Sequence, residues 1–243
     1  LKWHILLEGV PEVEVVYRAC KAIYAAEDLW VETGSDDIGI DLERGVVWFT
    51  GIDHTGIERR VVEEISSRYT SDDVRVVEGS PPPSAIGIRD AYDFFVGFSL
   101  LRLSKTMQSL LARTIEARRE HALVLSSEGP VAAVLEGEKD RIVLPEIKAC
   151  VFVHTHPYGS CTPSKSDLKA SYTFFLNGGI LEAIASPQCI WALWRGWLLG
   201  ERDLEALIEL ERSLNEIHKS GVQSTKLTTV LSKSAFKTSF YKL

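Results

Sequence analysis

The chain has 243 residues, 45% hydrophobic and 25% charged, with 27 Lys plus Arg against 34 Asp plus Glu and a formal net charge of −7. This composition excludes a disordered or collagen-like chain, and the length suits one large domain or two small ones with a proper core. No run approaches the roughly 18 consecutive apolar residues of a membrane span, and the acidic balance weighs against nucleic acid as the main partner.

Opening on Leu1, the sequence reads as trimmed. Leu1 to Cys20 carries Glu8, Glu12 and Glu14, so no signal peptide is expected there. The charge is segmented. Residues 1–80 hold 17 acids and 8 bases, 84–119 hold 3 and 6, 120–219 hold 14 and 9, and the last 24 hold no acid and 4 lysines. Such segmentation points to separate modules.

In chain order, Pro11–Ala26 places Val13, Val16, Tyr17, Cys20 and Ile23 on one helical face. Leu29–Glu32 and Ile38–Leu42 read as strands, and Arg44-Gly45 turns the chain into Val46–Thr50 as a hairpin. Thr55 followed by Glu58 forms a capping box opening a helix with Ile57, Val61, Val62, Ile65 and Tyr69 inward. Val74–Val77 is a short strand. The unit reads α-β-β-α-β over residues 1–80 and ends at Ser80-Pro81-Pro82-Pro83-Ser84, a stiff linker set at 81–88.

Arg89–Glu120 is helical, with a break expected near Gly97. Its later half mixes Leu101, Met107, Leu110, Leu111 and Ile115 with five Lys or Arg, which reads as one buried and one solvated basic face rather than a nucleic-acid stripe. Strands follow at His121–Leu125, Val131–Leu135 and Ile147–His154. A helix is expected at Ser164–Leu176, strands at Leu181–Ala185 and Cys189–Trp194, and an amphipathic helix at Glu201–Lys219. Trp191, Trp194 and Trp197 read as packed sheet surface. The tail 220–243, rich in Ser, Thr and Lys, reads as a mobile or loosely docked terminus, or as a segment that folds on a partner. The fold class is α/β in the α+β sense: a mixed-sheet domain at 89–219 behind a small α/β module. No internal repeat is present.

Cys20, Cys150, Cys161 and Cys189 form no CxxC pair, so no disulfide framework is expected and a reducing cytoplasm is the default compartment. Few Asn, Gln and Met occur, a composition expected of a thermophile.

The sequence becomes specific at Val151–Asp167, VFVHTHPYGSCTPSKSD. His154 and His156 stand two apart at a strand end, so both imidazoles leave the same face. Pro157 stops the ladder. After a six-residue loop, Ser164 falls at a helix N-cap and Asp167 at N3. Two neutral imidazoles and one carboxylate can share an ion and leave a fourth position for water, as in catalytic zinc sites. Zinc suits that donor set best, with Fe(II), Co or Mn as substitutes. Two histidines at a strand end can also be plain surface residues, and Ser164 with Asp167 caps a helix without any metal.

His154-Thr155-His156-Pro157, the six-residue gap, Ser164 and Asp167 resemble the motif of the JAMM (MPN+) metalloprotease family position by position, over about residues 100–200. Pro163-Ser164 looks more like the prokaryotic and RadC-type branch, and Cys161 falls where eukaryotic deubiquitinating members often carry a cysteine. The resemblance implies a JAMM/MPN-like mixed-sheet fold, one zinc held by His154, His156 and Asp167, and amide hydrolysis by activated water. It further implies a glutamate base where the first helix meets its strand. Glu120 stands at that junction, with Glu128 as competitor. It also implies an oxyanion donor at Ser164. Cys161 is expected to be a small packed residue beside the site.

Family members cleave isopeptide bonds to ubiquitin-like proteins, so such a protein or its conjugates is the implied substrate, with a further protein partner through residues 1–80 or the tail. A metal-free MPN-type scaffold and a RadC-like nucleic-acid-associated protein are the rival readings; the intact His, His, Ser and Asp set opposes the first.

Overall fold

The sequence predicts no strand ahead of Pro11, yet the chain enters a sheet there as β1 (Lys2–Glu8). The structure is a computed structural model, and it describes residues 2–50, 57–137, 148–158, 160–220 and 229–242. Two units divide the chain: residues 9–102, and a second unit assembled from 1–8 and 103–243.

In the unit 9–102, α1 (Pro11–Thr33) starts with Pro11 in its first turn beside Glu12 and Glu14 and closes on Gly34 at φ 68°. The predicted face is buried, and Ala19, Ala22, Ala25, Ala26 and Leu29 widen it. The expected strand at Leu29–Glu32 is corrected: these residues are the end of α1, where full burial of Leu29 overrides the strand preference of Trp30 and Val31.

Then come β2 (Ile38–Asp41), β3 (Val46–Phe49), α2 (Ile57–Tyr69), a 3-10 turn at Thr70–Asp72, β4 (Arg75–Glu78), β5 (Ile86–Gly87) and α3 (Ile88–Arg102). The sheet runs β4-β3-β2-β5, with β3 and β4 parallel. The capping box expected at Thr55 lies outside the described residues.

This division differs from the expected module at 1–80 and linker at 81–88, because Pro81 packs over β2 and β5 returns to pair with it. A Cβ built on Gly39 would meet the Pro81 Cβ at 2.4 Å, and Ile86 pairs with Ile40. The helix expected from Arg89 breaks at Leu103, not at Gly97, and the boundary between units falls there.

The second unit contains α4 (Ser104–Ala117), β6 (His121–Ser126), β7 (Val131–Glu136), β8 (Ala149–Thr155), α5 (Lys165–Leu176), β9 (Leu181–Ser186), β10 (Cys189–Arg195), α6 (Glu201–Ser220) and β11 (Phe236–Lys242). Its seven-stranded sheet runs β1-β7-β6-β8-β9-β10-β11. Only β8 and β9 are parallel, and α5 is the crossover between them. Phe152, Ile184, Trp191 and Leu193 form a core with Leu168, Phe174 and Phe175 of α5 and Leu207, Leu210 and Leu214 of α6.

Helix α4 packs on β6 and β8 through a narrower stripe than expected: Met107, Leu110 and Thr114 are buried, while Ile115 is 51% exposed. The tail is also corrected. Residues 236–242 pair along the whole of β10 and bury Phe236, because their alternating side chains suit an edge strand; 221–228 lie outside the described residues. Among the described residues no helix is long and apolar enough to cross a membrane. The chain is mixed α and β with a mixed sheet.

Candidate metal centre

Three elements of the second unit end at one place. Strand β8 delivers His154 and His156, with Thr155 between them on the opposite face. Helix α5 begins at Ser164 with a complete capping box. The Asp167 N–H donates to Ser164 Oγ at 3.2 Å, and the Ser164 N–H donates to Asp167 Oδ2 at 2.6 Å. Strand β6 pairs Ala122 with His154, so Glu120, two residues before Ala122, shares the face of the histidines.

His154 Nε2 lies 3.5 Å from Asp167 Oδ1, His156 Nε2 lies 3.5 Å from Asp167 Oδ2, and Glu120 Oε1 is 3.8 Å from His156 Nε2. Glu120 is 6% exposed and His154 1%. The competitor Glu128 is at the far end of β6, exposed and paired with Lys148. The Nδ1 of His156 is 3.0 Å from the Ser160 carbonyl, which can only accept, so Nδ1 carries a proton and Nε2 faces the site. His154 stacks on Phe152 at 5.2 Å between ring centroids, fixing its plane.

Electrostatics follow from this crowding. Burial works to raise the pKa of Asp167. The facing side chains of His154 and His156 and the Ser164 N–H outweigh it and hold the carboxyl well below its usual range. Burial works to lower the pKa of His156, but the Asp167 hydrogen bond, the Asp167 and Glu120 charges and the Ser160 carbonyl leave it raised.

His154 tests whether these residues suit a cation. Both its ring nitrogens are buried with no hydrogen-bond partner among the described residues, a costly state for a polar atom. Ligand atoms of His154, His156 and Asp167 all lie within 4.8 Å of one another. Two ligands each about 2.05 Å from a tetrahedral zinc would be about 3.3 Å apart, close to the observed 3.5 Å. The residues fit a divalent ion.

The sequence missed two features of the surroundings. Cys161 and Cys189 are joined in a disulfide, contrary to the expectation of unpaired cysteines. Their sequence separation of 28 conceals a contact made when the β9–β10 hairpin returns beneath the loop after β8. Glu182 of β9, fully buried beside Phe152, is pushed up to about 8 by burial, with the Asp167 charge pushing the same way and Ser171 opposing. A single charged residue inside the apolar LEAIAS run was its only signal.

Compared with models of protein families, with curated proteins and with solved structures, the chain matches none.

Proposed function

We propose that the chain is a zinc-dependent peptidase or isopeptidase of the JAMM type, removing ubiquitin-like modifiers from their conjugates. The supporting observation is the convergence of Glu120, His154, His156 and Asp167 from two strand ends and a helix start. A bound zinc would supply Lewis acidity and lower the pKa of a water toward about 7.

The chain's own residues do the rest. Asp167, held ionised, and the lone pairs of His154 and His156 form the ligand set. Glu120 takes the proton of the attacking water and later hands it to the leaving amine, work typically contributing about 10²–10⁴-fold. The Ser164 hydroxyl donates to the tetrahedral oxyanion, worth about 3 kcal/mol. Its capping role does not conflict, because the Asp167 N–H occupies only a lone pair of that oxygen. The acidic unit 9–102 serves in recognition or assembly.

Purified full-length chain should carry about one zinc per chain by elemental analysis, lose it to a chelator, and cleave at least one of a panel of linear ubiquitin-like fusions. Glu120→Gln should keep the metal and lower cleavage by about 10²–10⁴-fold. Metal-free protein from zinc-replete buffer removes the site, and unchanged cleavage by Glu120→Gln removes the base. Strong salt-sensitive DNA binding without peptidase activity would instead favour the nucleic-acid rival.

A further inference from the structure

Directly behind the proposed site, on the face of the sheet covered by α4, lies a closed ring of polar groups in an otherwise apolar layer. The paired register of β6 and β8 ends at Ala122 and His154. One residue further on, the Thr155 hydroxyl reaches both main-chain groups of His121: it accepts from the N–H at 3.0 Å and lies 3.1 Å from the carbonyl. It also contacts the hydroxyl of Thr114 on α4.

Thr114 Oγ1 in turn is 3.0 Å from His121 Nδ1, which is 3.2 Å from the Arg119 carbonyl. A carbonyl only accepts, so Nδ1 carries the proton and Thr114 accepts from it. Thr114 then donates to Thr155, and Thr155 donates to the His121 carbonyl. Each hydroxyl proton is used once and the directions agree around the ring. Thr114, His121 and Thr155 are all buried, where such a ring is rigid only if complete.

The peptide plane this ring grips is the one that carries Glu120. Its carbonyl oxygen, that of Glu120, accepts from the Gly137 N–H at 2.8 Å, and its N–H, that of His121, donates to Thr155. The plane is therefore pinned at both ends, on one side by the end of β7 and on the other by the residue between the two histidines. Alternation along the strands does the coupling: odd-numbered residues 121 and 155 meet on the back face, and even-numbered 120, 154 and 156 meet on the front.

We propose that Thr155 is a positioning residue which, through His121 and Thr114, sets where the Glu120 carboxylate stands relative to His154 and His156. This rests on the metal-dependent reading above and deepens it. A displacement of about 1 Å in a proton-transferring group costs about 10²-fold, while the side chains of His154, His156 and Asp167 make none of the ring's hydrogen bonds.

The test uses the full chain loaded with Co²⁺ as an absorbing probe, together with a fusion substrate that the parent cleaves. Thr155→Val preserves the shape and removes the hydroxyl; Thr155→Ser preserves the hydroxyl. Thr155→Val should bind Co²⁺ within about threefold of the parent, change its visible spectrum, and lower kcat about 10–100-fold with KM within about twofold. Thr155→Ser should restore spectrum and kcat to within about threefold.

A Val variant with parental spectrum and kcat overturns the proposal, and so does an equal loss in Val and Ser, which would assign the effect to packing. Should Thr155→Val fail to fold, Thr114→Val with Thr114→Ser as its rescue is judged by the same criteria. Glu120→Gln separates the two levels. A parent that binds no Co²⁺ removes the metal-dependent reading and the positioning role with it, and a Glu120→Gln protein unchanged in spectrum and cleavage removes the base and the positioning role while leaving the metal site. A silent Thr155→Val beside a Glu120→Gln protein changed in both removes the positioning role alone.

Discussion

A carboxyl group in an apolar core keeps its proton to higher pH than it does in water, and Glu182 does so to about 8. Unfolded, it would lose that proton near its ordinary 4.5. Between those two values the folded chain binds the extra proton, so this residue makes stability fall as pH rises across that window. Glu182→Gln cannot ionise and should abolish that slope, leaving a protein more stable than the parent at pH 8 by a few kcal/mol and little different at pH 4.5. Urea denaturation at several pH values measures it. Parallel stability curves for parent and variant would contradict the burial argument.

Residues differ in how visible they were beforehand. His154, His156, Ser164 and Asp167 were legible because two rigid rules, alternation along a strand and the i to i+3 capping box, convert spacing into geometry. Glu120 was legible only as a position, since a helix–strand junction says nothing of whether its side chain turns to solvent. The pairing of Ala122 with His154 is what turns it inward.

Among the elements, the loop between β8 and α5 shows how far a local structure can depend on something remote. Its Ser160 carbonyl receives the His156 Nδ1–H, and one residue on, Cys161 is tied to the first residue of β10. Closing a loop with ends 28 residues apart is worth about 3–4 kcal/mol in the chain-entropy account. Replacing Cys161 and Cys189 together by Ser should therefore lower the stability of the second unit by about 3 kcal/mol, read from the urea midpoint; an unchanged midpoint would show that the disulfide contributes no stability.

The elements that escaped the sequence share a cause. The strand β1, reading KWHILLE, lacks clean alternation, and β11 is polar enough to pass for a tail. Both are outer strands, paired on one side only, so neither needs the apolar pattern that announces a buried strand. The missed end of α1 was decided by tertiary burial instead of local preference.

At the scale of the molecule, the seven-stranded sheet is finished by residues from both ends of the sequence, β1 at one margin and β11 at the other. Removing residues 1–8 would leave β7 with an unpaired edge next to the strand that holds Glu120. Unpaired edges recruit other chains. The shortened protein should self-associate with increasing concentration in sedimentation velocity, where the parent does not change; equal behaviour of the two would show that β1 does not guard that edge.

The placement of β1 also orders events on the ribosome. Its partner β7, at Val131–Glu136, is made only after the whole of 9–102 has followed it out. At about 5–20 residues per second, that is a wait on the order of ten seconds. Throughout it, the first strand of the second unit is without its sheet partner, while residues 9–102, contiguous in sequence, emerge ahead of that partner. The 9–102 unit is thus an insertion within the second unit, synthesised whole before the strand that pairs with β1.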